Sequence, residues 1–342
     1  MSRKVVFTLL DNFIWFLVIV VFLFFSVASS NFFTPFNLLN IIPRVAALGL
    51  LIIGQSFTMI TGNFDLSSES TLGLTAMVAG LLIAPKEFGG WGLMLPAWLA
   101  IIIMLLVGLL VGLANGFMVT KLKMNNLIVT IAMMILLRGV VYIISPGSSA
   151  SFFGPVFDWL GGGILFYLRF GGQSVGVMVS LAFVIFAFII AHIVTRYTQF
   201  GRNMYAVGAN REAAESAGIR SDKIILAVYL ISGFCSALAG LLTAGRMDSA
   251  TPRTGMGWIF QVQAAAIIGG VSLLGGRGNM IGALGGMVLW GILDTGLNVL
   301  KISPYLVDAV QGGVLLFAMF LDALKGRYLQ RTALQKVVPL KT

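Results

Sequence analysis

Residues 97–120 read A-W-L-A-I-I-I-M-L-L-V-G-L-L-V-G-L-A-N-G-F-M-V-T, 24 positions without a charged side chain. As an α-helix rising 1.5 Å per residue, this stretch is about 36 Å long, enough to cross a hydrocarbon core of about 30 Å. Gly108, Gly112 and Gly116 recur at every fourth position and form a stripe of small residues. Such a stripe lets a second backbone approach closely, and in lipid that packing replaces the missing hydrophobic drive between helices. Gly278, Gly282 and Gly286 form a second stripe of the same spacing.

The rest of the chain repeats this pattern. Ten apolar stretches can be drawn, at about 13–30, 43–61, 66–84, 97–120, 126–144, 174–195, 224–244, 259–275, 279–299 and 304–322. With 58% hydrophobic and 10% charged residues and a mean hydropathy of +1.00, the composition lies far from the soluble range of roughly a quarter charged residues. Backbone polar groups in lipid must be paired internally, and alternating strands of about ten residues are missing, so the spans are helices. The chain is expected to be an all-α integral membrane protein of about ten transmembrane helices, one transmembrane domain over residues 1–342. The N-terminus lacks the short apolar core and small-residue cleavage site of a signal peptide and is read as a retained first span. Cys235, the single cysteine, lies inside an apolar run and reads as a small buried residue.

Charge sets the orientation. With the N-terminus inside, Arg3, Lys4, Lys121, Lys123, Arg196, Arg202, Arg211, Arg220, Lys223, Arg277, Lys325, Arg327, Arg331, Lys336 and Lys341 share one side. Basic residues concentrate in cytoplasmic loops, so both termini and the 197–223 loop are expected in the cytoplasm. The net charge of +10 is thereby explained without a nucleic acid. The connection 145–173, rich in Gly, Ser and aromatics, falls outside, and Val156 to Leu168 is expected to lie on the outer surface as an amphipathic piece.

Polar groups within the apolar stretches are the candidates for chemistry. G-N-F-D-L-S-S-E-S-T (62–71) separates the second and third spans. Asp65 and Ser67 suit the capped start of a helix, with Glu69 on the same face. Two readings stand: a capped, wet turn, or a discontinuous helix lining a transport pathway. Candidate pathway residues are Asn63, Asp65, Ser67, Glu69, Asn115 and Gln263. Arg138, Asp294 and Asp308 are the other embedded charges, and Arg138 is a candidate partner for one of the aspartates. The sequence holds no H-E-x-x-H, no Cys/His cluster, no G-x-S-x-G and no G-x-x-x-x-G-K-[ST], so no catalytic site, metal, cofactor or P-loop nucleotide site is expected. The lone His192 reads as an interfacial residue.

Y-T-Q-F-G-R-N-M-Y-A-V-G-A-N-R-E-A-A-E-S-A-G-I-R-S-D-K (197–223) is the longest polar interruption. Asn210 is an N-cap, Glu212 falls in the following first turn, and Gly218 supplies a left-handed terminus. The loop is expected to hold one exposed helix of about two turns, Asn210, Arg211, Glu212, Ala213, Ala214, Glu215, Ser216, Ala217 and Gly218, fitted to a groove on another protein. A further regularity links the halves: G-L-A-N-G (112–116) followed by L-K-M-N-N-L-I-V (122–129) is echoed by G-I-L-D-T-G (291–296) followed by L-K-I-S-P-Y-L-V (300–307). The two spans run in opposite directions, so the echo suggests a five-plus-five inverted repeat.

Four stretches, G-N-F-D-L-S (62–67), N-L-I-V-T (126–130) with Arg138-Gly139, F-G-R-N-M-Y-A-V-G (200–208) through Ala217-Gly-Ile219, and I-G-G-V-S-L-L-G-G-R-G (268–278), resemble in order and spacing the permease subunits of bacterial ABC importers for simple sugars, the family of the ribose permease. Asn63, Phe64, Asn126 and Gln263 depart from that family's usual residues. The resemblance implies an inner-membrane permease moving a monosaccharide inward by alternating access. It implies a separate ATP-binding ABC ATPase, an extracytoplasmic solute-binding protein and a second permease, identical or homologous, in the lipid membrane, with Asn210 to Gly218 as the helix coupled to the ATPase. The alternatives are a permease of the same architecture for a non-sugar solute such as an amino acid, or an ion-coupled carrier or channel.

Overall fold

The computed structural model describes residues 13–145, 147–170, 173–303, 305–307, 309–317 and 319–320. The chain forms a helical bundle. Its helices are α1 (Phe13–Ala28), α2 (Pro35–Arg44), α3 (Ala46–Ile60), α4 (Ser68–Ile83), α5 (Ala97–Thr120), α6 (Asn126–Ile144), α7 (Pro155–Gly162), α8 (Val179–Tyr197), α9 (Gln199–Ala209), α10 (Arg211–Ser216), α11 (Ser221–Met247), α12 (Trp258–Ile268) and α13 (Met280–Val299). Five of them, α5, α6, α8, α11 and α13, are each long and apolar enough to cross a membrane, and α2 with α3 makes a sixth span bent by 41°. Pro43 accounts for the bend, because it cannot donate the hydrogen bond that would carry the ladder through this point. Shorter apolar helices, α1, α4 and α12, fall in the stretches 13–30, 66–84 and 259–275, with α12 ending at Ile268 and turns following it, and a further apolar segment, Tyr305–Phe317, falls in the last stretch.

α11 is the axis, packing against α3, α4, α5 and α7. Its apolar window is 61% buried, against 22% for α6, so α11 is core and α6 presents most of its side chains outward. α3 is buried at every position, and α4 at every position but Val78 and Ile83, so both are central helices, and their buried polar residues, Gln55 and Glu69 among them, lie inside the bundle. The first glycine stripe is the reason α5 and α11 can touch: a Cβ on Gly108 or Gly112 would meet the backbone of Gly233 or Tyr229. In the second stripe only Gly282 and Gly286 are helical, and they abut Gly269 and Ala265 of the neighbouring segment. Gly278 stands in the turn before α13, at φ +141°.

Two expectations are corrected. The outer connection is not one amphipathic piece: α7 ends at Gly162, and residues 164–178 form an antiparallel hairpin, β2 (Ile164–Phe170) with β3 (Gln173–Met178). A shorter pair, β1 (Ala150–Ser151) with β4 (Ser249–Ala250), ties the connection to the far end of α11. The 197–223 stretch holds two helices, since α9 precedes α10, with Thr198 as its N-cap accepting from Gly201 N at 3.1 Å. Its apolar side supplies the buried Met204 and Val207.

Candidate functional site

The break between α3 and α4 is the first polar centre. Gly62 takes φ +75°, and the chain then turns back into the bundle. Asp65 Oδ1 accepts from Ser67 Oγ at 2.6 Å and Ser67 N at 3.1 Å, and its Oδ2 accepts from Ser232 Oγ of α11 at 2.6 Å. Asn115 of α5 donates to Ser67 Oγ at 2.8 Å. Tyr229, one turn from Ser232, donates its hydroxyl to Phe64 O at 2.9 Å. Asp65, Ser67, Asn115 and Ser232 are each no more than 1% exposed, so they form a sealed knot joining α4, α5 and α11. Asn63 stands beside it and accepts from Asn126, the first residue of α6, at 2.9 Å.

Glu69 lies one turn on and has different partners. Its Oε2 accepts from Ile259 N in the first turn of α12 at 3.1 Å, and its Oε1 lies 3.8 Å from Arg138 Nη2. Arg138 Nη1 donates to Pro252 O at 2.9 Å and Thr254 O at 3.0 Å. The pair therefore clamps residues 251–257, the turn that leads from α11 back to α12. This corrects the expected pairing of Arg138 with an aspartate: Asp294 lies within electrostatic range of Arg44 and Arg246 instead, and Asp308 lies outside the described residues. Gln263, half-buried in α12, makes no hydrogen bond to either centre among the described residues. The candidate pathway set thus divides into a sealed knot, a clamp and a separate glutamine.

The second region is α10. Asn210 Oδ1 accepts from Ala213 N at 3.0 Å. At the other end Gly218, at φ +83°, donates to Glu215 O at 2.9 Å, and Ile219 N donates to Ala214 O at 3.0 Å, the paired closure of a Schellman terminus. Ala214 is buried with Val119, Val129, Ile225 and Tyr229, while Glu212, Ala213, Glu215, Ser216, Ala217 and Gly218 are exposed. Arg211 bridges Glu215 at 3.0 Å and Asp222 at 2.6 Å, and Lys123, between α5 and α6, reaches Asp222 at 3.0 Å. Partial burial opposes ionisation of Asp222, but Lys123 and Arg211 outweigh it and hold the carboxyl below its usual value. The hydrogen bond from Arg211 does the same for Glu215. α9 runs directly into α10 and packs on the break: Gly208 abuts Ile60 O, and that carbonyl accepts from Gly276 N at 2.9 Å.

The sequence reading missed Ser232, Tyr229 and the 251–257 turn. T-P-R-T-G-M-G (251–257) carries a Pro/Gly signal for a turn. Nothing local marks two α11 residues as partners of a loop some 165 positions away.

Residues 37–319 match the protein family described as branched-chain amino acid transport system / permease component. The chain belongs to this permease family. It is 34% identical over 302 residues to the ribose import permease protein RbsC of Bacillus subtilis, covering 88% of each chain. It is 33% identical to the RbsC of Escherichia coli K12 over 301 residues, 87% of this chain and 88% of that one. To the L-arabinose transport system permease protein AraH of Escherichia coli K12 it is 33% identical over 306 residues, 90% of this chain and 88% of that one. No solved structure gives a significant match. The permease is a multi-pass membrane protein and a transporter component rather than an enzyme, and its family works with ATPase and binding-protein partners.

Proposed function

We propose that the permease moves a monosaccharide into the cytoplasm by alternating access, driven by a separate ABC ATPase and supplied by an extracytoplasmic solute-binding protein. It pairs with a second permease subunit in the bacterial inner membrane, both termini and α10 facing the cytoplasm, and its 342 residues form one domain of ten spans. The sugar is carried over from the ribose and arabinose permeases, which match over nearly the whole chain. The observation that carries the energy-coupling role is α10. It is capped at both ends, buried on its Ala214 side, ion-paired at Asp222 to the starts of two spans, and bare on its Glu212 side. A rigid exposed helix on a mobile bundle is suited to transmit the movement of a docked ATPase.

The inverted repeat is supported by contacts. α11 packs on α5 and α4, and α4 on α5; correspondingly α2 and α3 pack on α13, α3 on α12, and α12 on α13. Gly112 and its echo Gly291 hold like places, one against α11 at Tyr229, the other against α2 at Ile41.

The test is reconstitution with the cognate ATPase and binding protein in vesicles. ATP-dependent uptake of a pentose or hexose, with leucine excluded, is expected of the wild type; uptake of leucine alone would overturn the sugar assignment. Replacing Glu212 by Trp or Gly218 by Val should leave insertion normal but break the link between hydrolysis and uptake, because one fills the bare face and the other puts a β-branched residue at positive φ. Undiminished coupled uptake in both variants would overturn the role of α10.

A further inference from the structure

The β2–β3 hairpin stands at the end of the bundle away from α10, between α7 and the start of α8. Its register sorts the side chains onto two faces. Phe166 pairs with Val177 and Leu168 with Val175, whereas Tyr167 pairs with Gly176 and Arg169 with Ser174, and residues paired across antiparallel strands share a face. One face is therefore wholly apolar, and the other carries a phenol, a guanidinium and a hydroxyl.

The apolar face is only half covered by protein. β3 packs on α2, and its Val175 and Val177 are buried, yet Phe166 of β2 is 53% exposed on the same face. β2 thus overhangs the helix that β3 covers. Because α2 is the first part of the bent α2–α3 span, the overhang lies beside a membrane-crossing element. Exposed apolar side chains flank it on both neighbouring helices, Phe33 and Phe36 at the start of α2 and Phe186 and Ile189 on α8. On the opposite face Tyr167 is 63% exposed, and Arg169, also exposed, has no carboxylate within 4.0 Å among the described residues. Trp159 of α7 closes over the root of the hairpin, where a Cβ on Gly163 would meet its ring. Among the described residues β2 pairs with β3 alone, so its outer edge is open. An open edge is excluded from the hydrocarbon core, where nothing satisfies its N–H and C=O groups, but the hydrated headgroup layer can satisfy them.

We propose that the β2–β3 hairpin is an interfacial anchor seated in the phospholipid headgroup layer. Phe166 and Leu168 reach toward the acyl chains, and Tyr167 and Arg169 lie among the phosphates. Lipid is the occupant that meets both faces at once: an apolar overhang beside lipid-facing helices, rimmed by tyrosine, tryptophan and arginine, is the pattern of a segment lying in the membrane interface. Placement in the outer leaflet rests on the orientation proposed above; contact with lipid does not. The anchor is tied to the bundle at its root, where Gly163 O accepts from Val179 N at 2.9 Å. Gly161 of α7 lies backbone to backbone with Gly245 of α11, so the hairpin fixes the depth of α7 and of the end of α11 in the bilayer.

The experiment uses the full chain with Cys235, its single cysteine, replaced by alanine. A new cysteine is introduced as Phe166→Cys or Tyr167→Cys, both at exposed positions that leave the packing intact, and labelled with the fluorophore nitrobenzoxadiazole. In phosphatidylcholine and phosphatidylglycerol vesicles the Phe166→Cys label should emit at shorter wavelength than in water. It should lose more emission to lipids with a nitroxide near the headgroup than to lipids with one deep in the acyl chain. Iodide in the aqueous phase should quench the Tyr167→Cys label more than the Phe166→Cys label. A Phe166→Cys label quenched by iodide and not by lipid puts the hairpin in water, and one quenched by neither puts it under a second protein. Either result overturns the anchor. Sidedness is read separately in right-side-out membrane vesicles, where dithionite added outside should bleach the label. Lipid quenching without bleaching keeps the anchor and overturns the proposed orientation, so the two failures are told apart.

Discussion

Asp65 is the residue on which three helices agree. Its carboxylate takes both serine hydroxyls and the Ser67 amide, and the Asn115 amide is anchored through Ser67. Removing the acceptor leaves these donors buried with no water to turn to, at about 1–3 kcal/mol for each unsatisfied group. Asp65→Ala is therefore expected to lower the detergent melting temperature sharply and reduce the yield of folded permease. Ser232→Ala, which leaves the carboxylate its other partners, should do so less. Equal melting curves for wild type and Asp65→Ala would show that the knot is not structural. Asp222 makes the opposite kind of prediction. Its carboxyl is held below the usual value, so its contribution is complete above the ordinary aspartate pKa of about 3.9 and is lost only as pH falls through the lower folded value. The Lys123–Asp222–Arg211 link should thus behave alike at pH 8 and pH 5. Asp222→Asn should weaken ATPase-coupled uptake at both, by an amount that shrinks in high salt because Lys123 is exposed to solvent.

At the scale of elements, the Glu69–Arg138 clamp holds the 251–257 turn among the helices. Arg138→Ala takes away two hydrogen bonds to that turn and leaves Glu69 as a buried carboxylate facing an amide alone, a loss of about 3–5 kcal/mol for a broken buried pair. Glu69→Gln with Arg138→Met restores charge balance and should recover part of that loss, measured by thermal denaturation of the purified permease. No recovery would mean that the hydrogen bonds to Pro252 and Thr254, rather than charge pairing, are the larger contribution. Which elements exist was largely legible in the sequence: the apolar stretches show α5, α6, α8, α11 and α13, and Asn210 and Gly218 mark the ends of α10. The partners were not legible. Asp65 and Glu69 share a helical face by spacing, yet one faces α11 and the other α12, a division set by tertiary packing. The β2–β3 hairpin was hidden as well, since its Ile164–Phe170 run is as apolar as a helix and period alone does not separate the two.

For the molecule as a whole, everything converges on α11, and its crossing with α5 is the tightest constraint. Gly108 and Gly233 lie backbone to backbone, and a Cβ added to Gly233 would meet Gly108 O and approach Gly112 N at 3.0 Å. Both obstacles are main chain, so no side-chain rotation relieves them and one helix has to move. α11 cannot move alone, because α3, α4 and α7 pack on its other sides, and the Asp65 knot ties it to α4 and α5. Gly233→Val should therefore prevent assembly of the bundle rather than alter transport, giving aggregated protein in size-exclusion chromatography of a fluorescent fusion. Gly139→Val is the matched control: it adds the same side chain in an apolar helix, at a site where a Cβ meets nothing within 4 Å. If Gly139→Val elutes as wild type and Gly233→Val does not, the defect belongs to the helix crossing and not to helix propensity. If both elute as wild type, the close α5–α11 contact is not what holds the permease together.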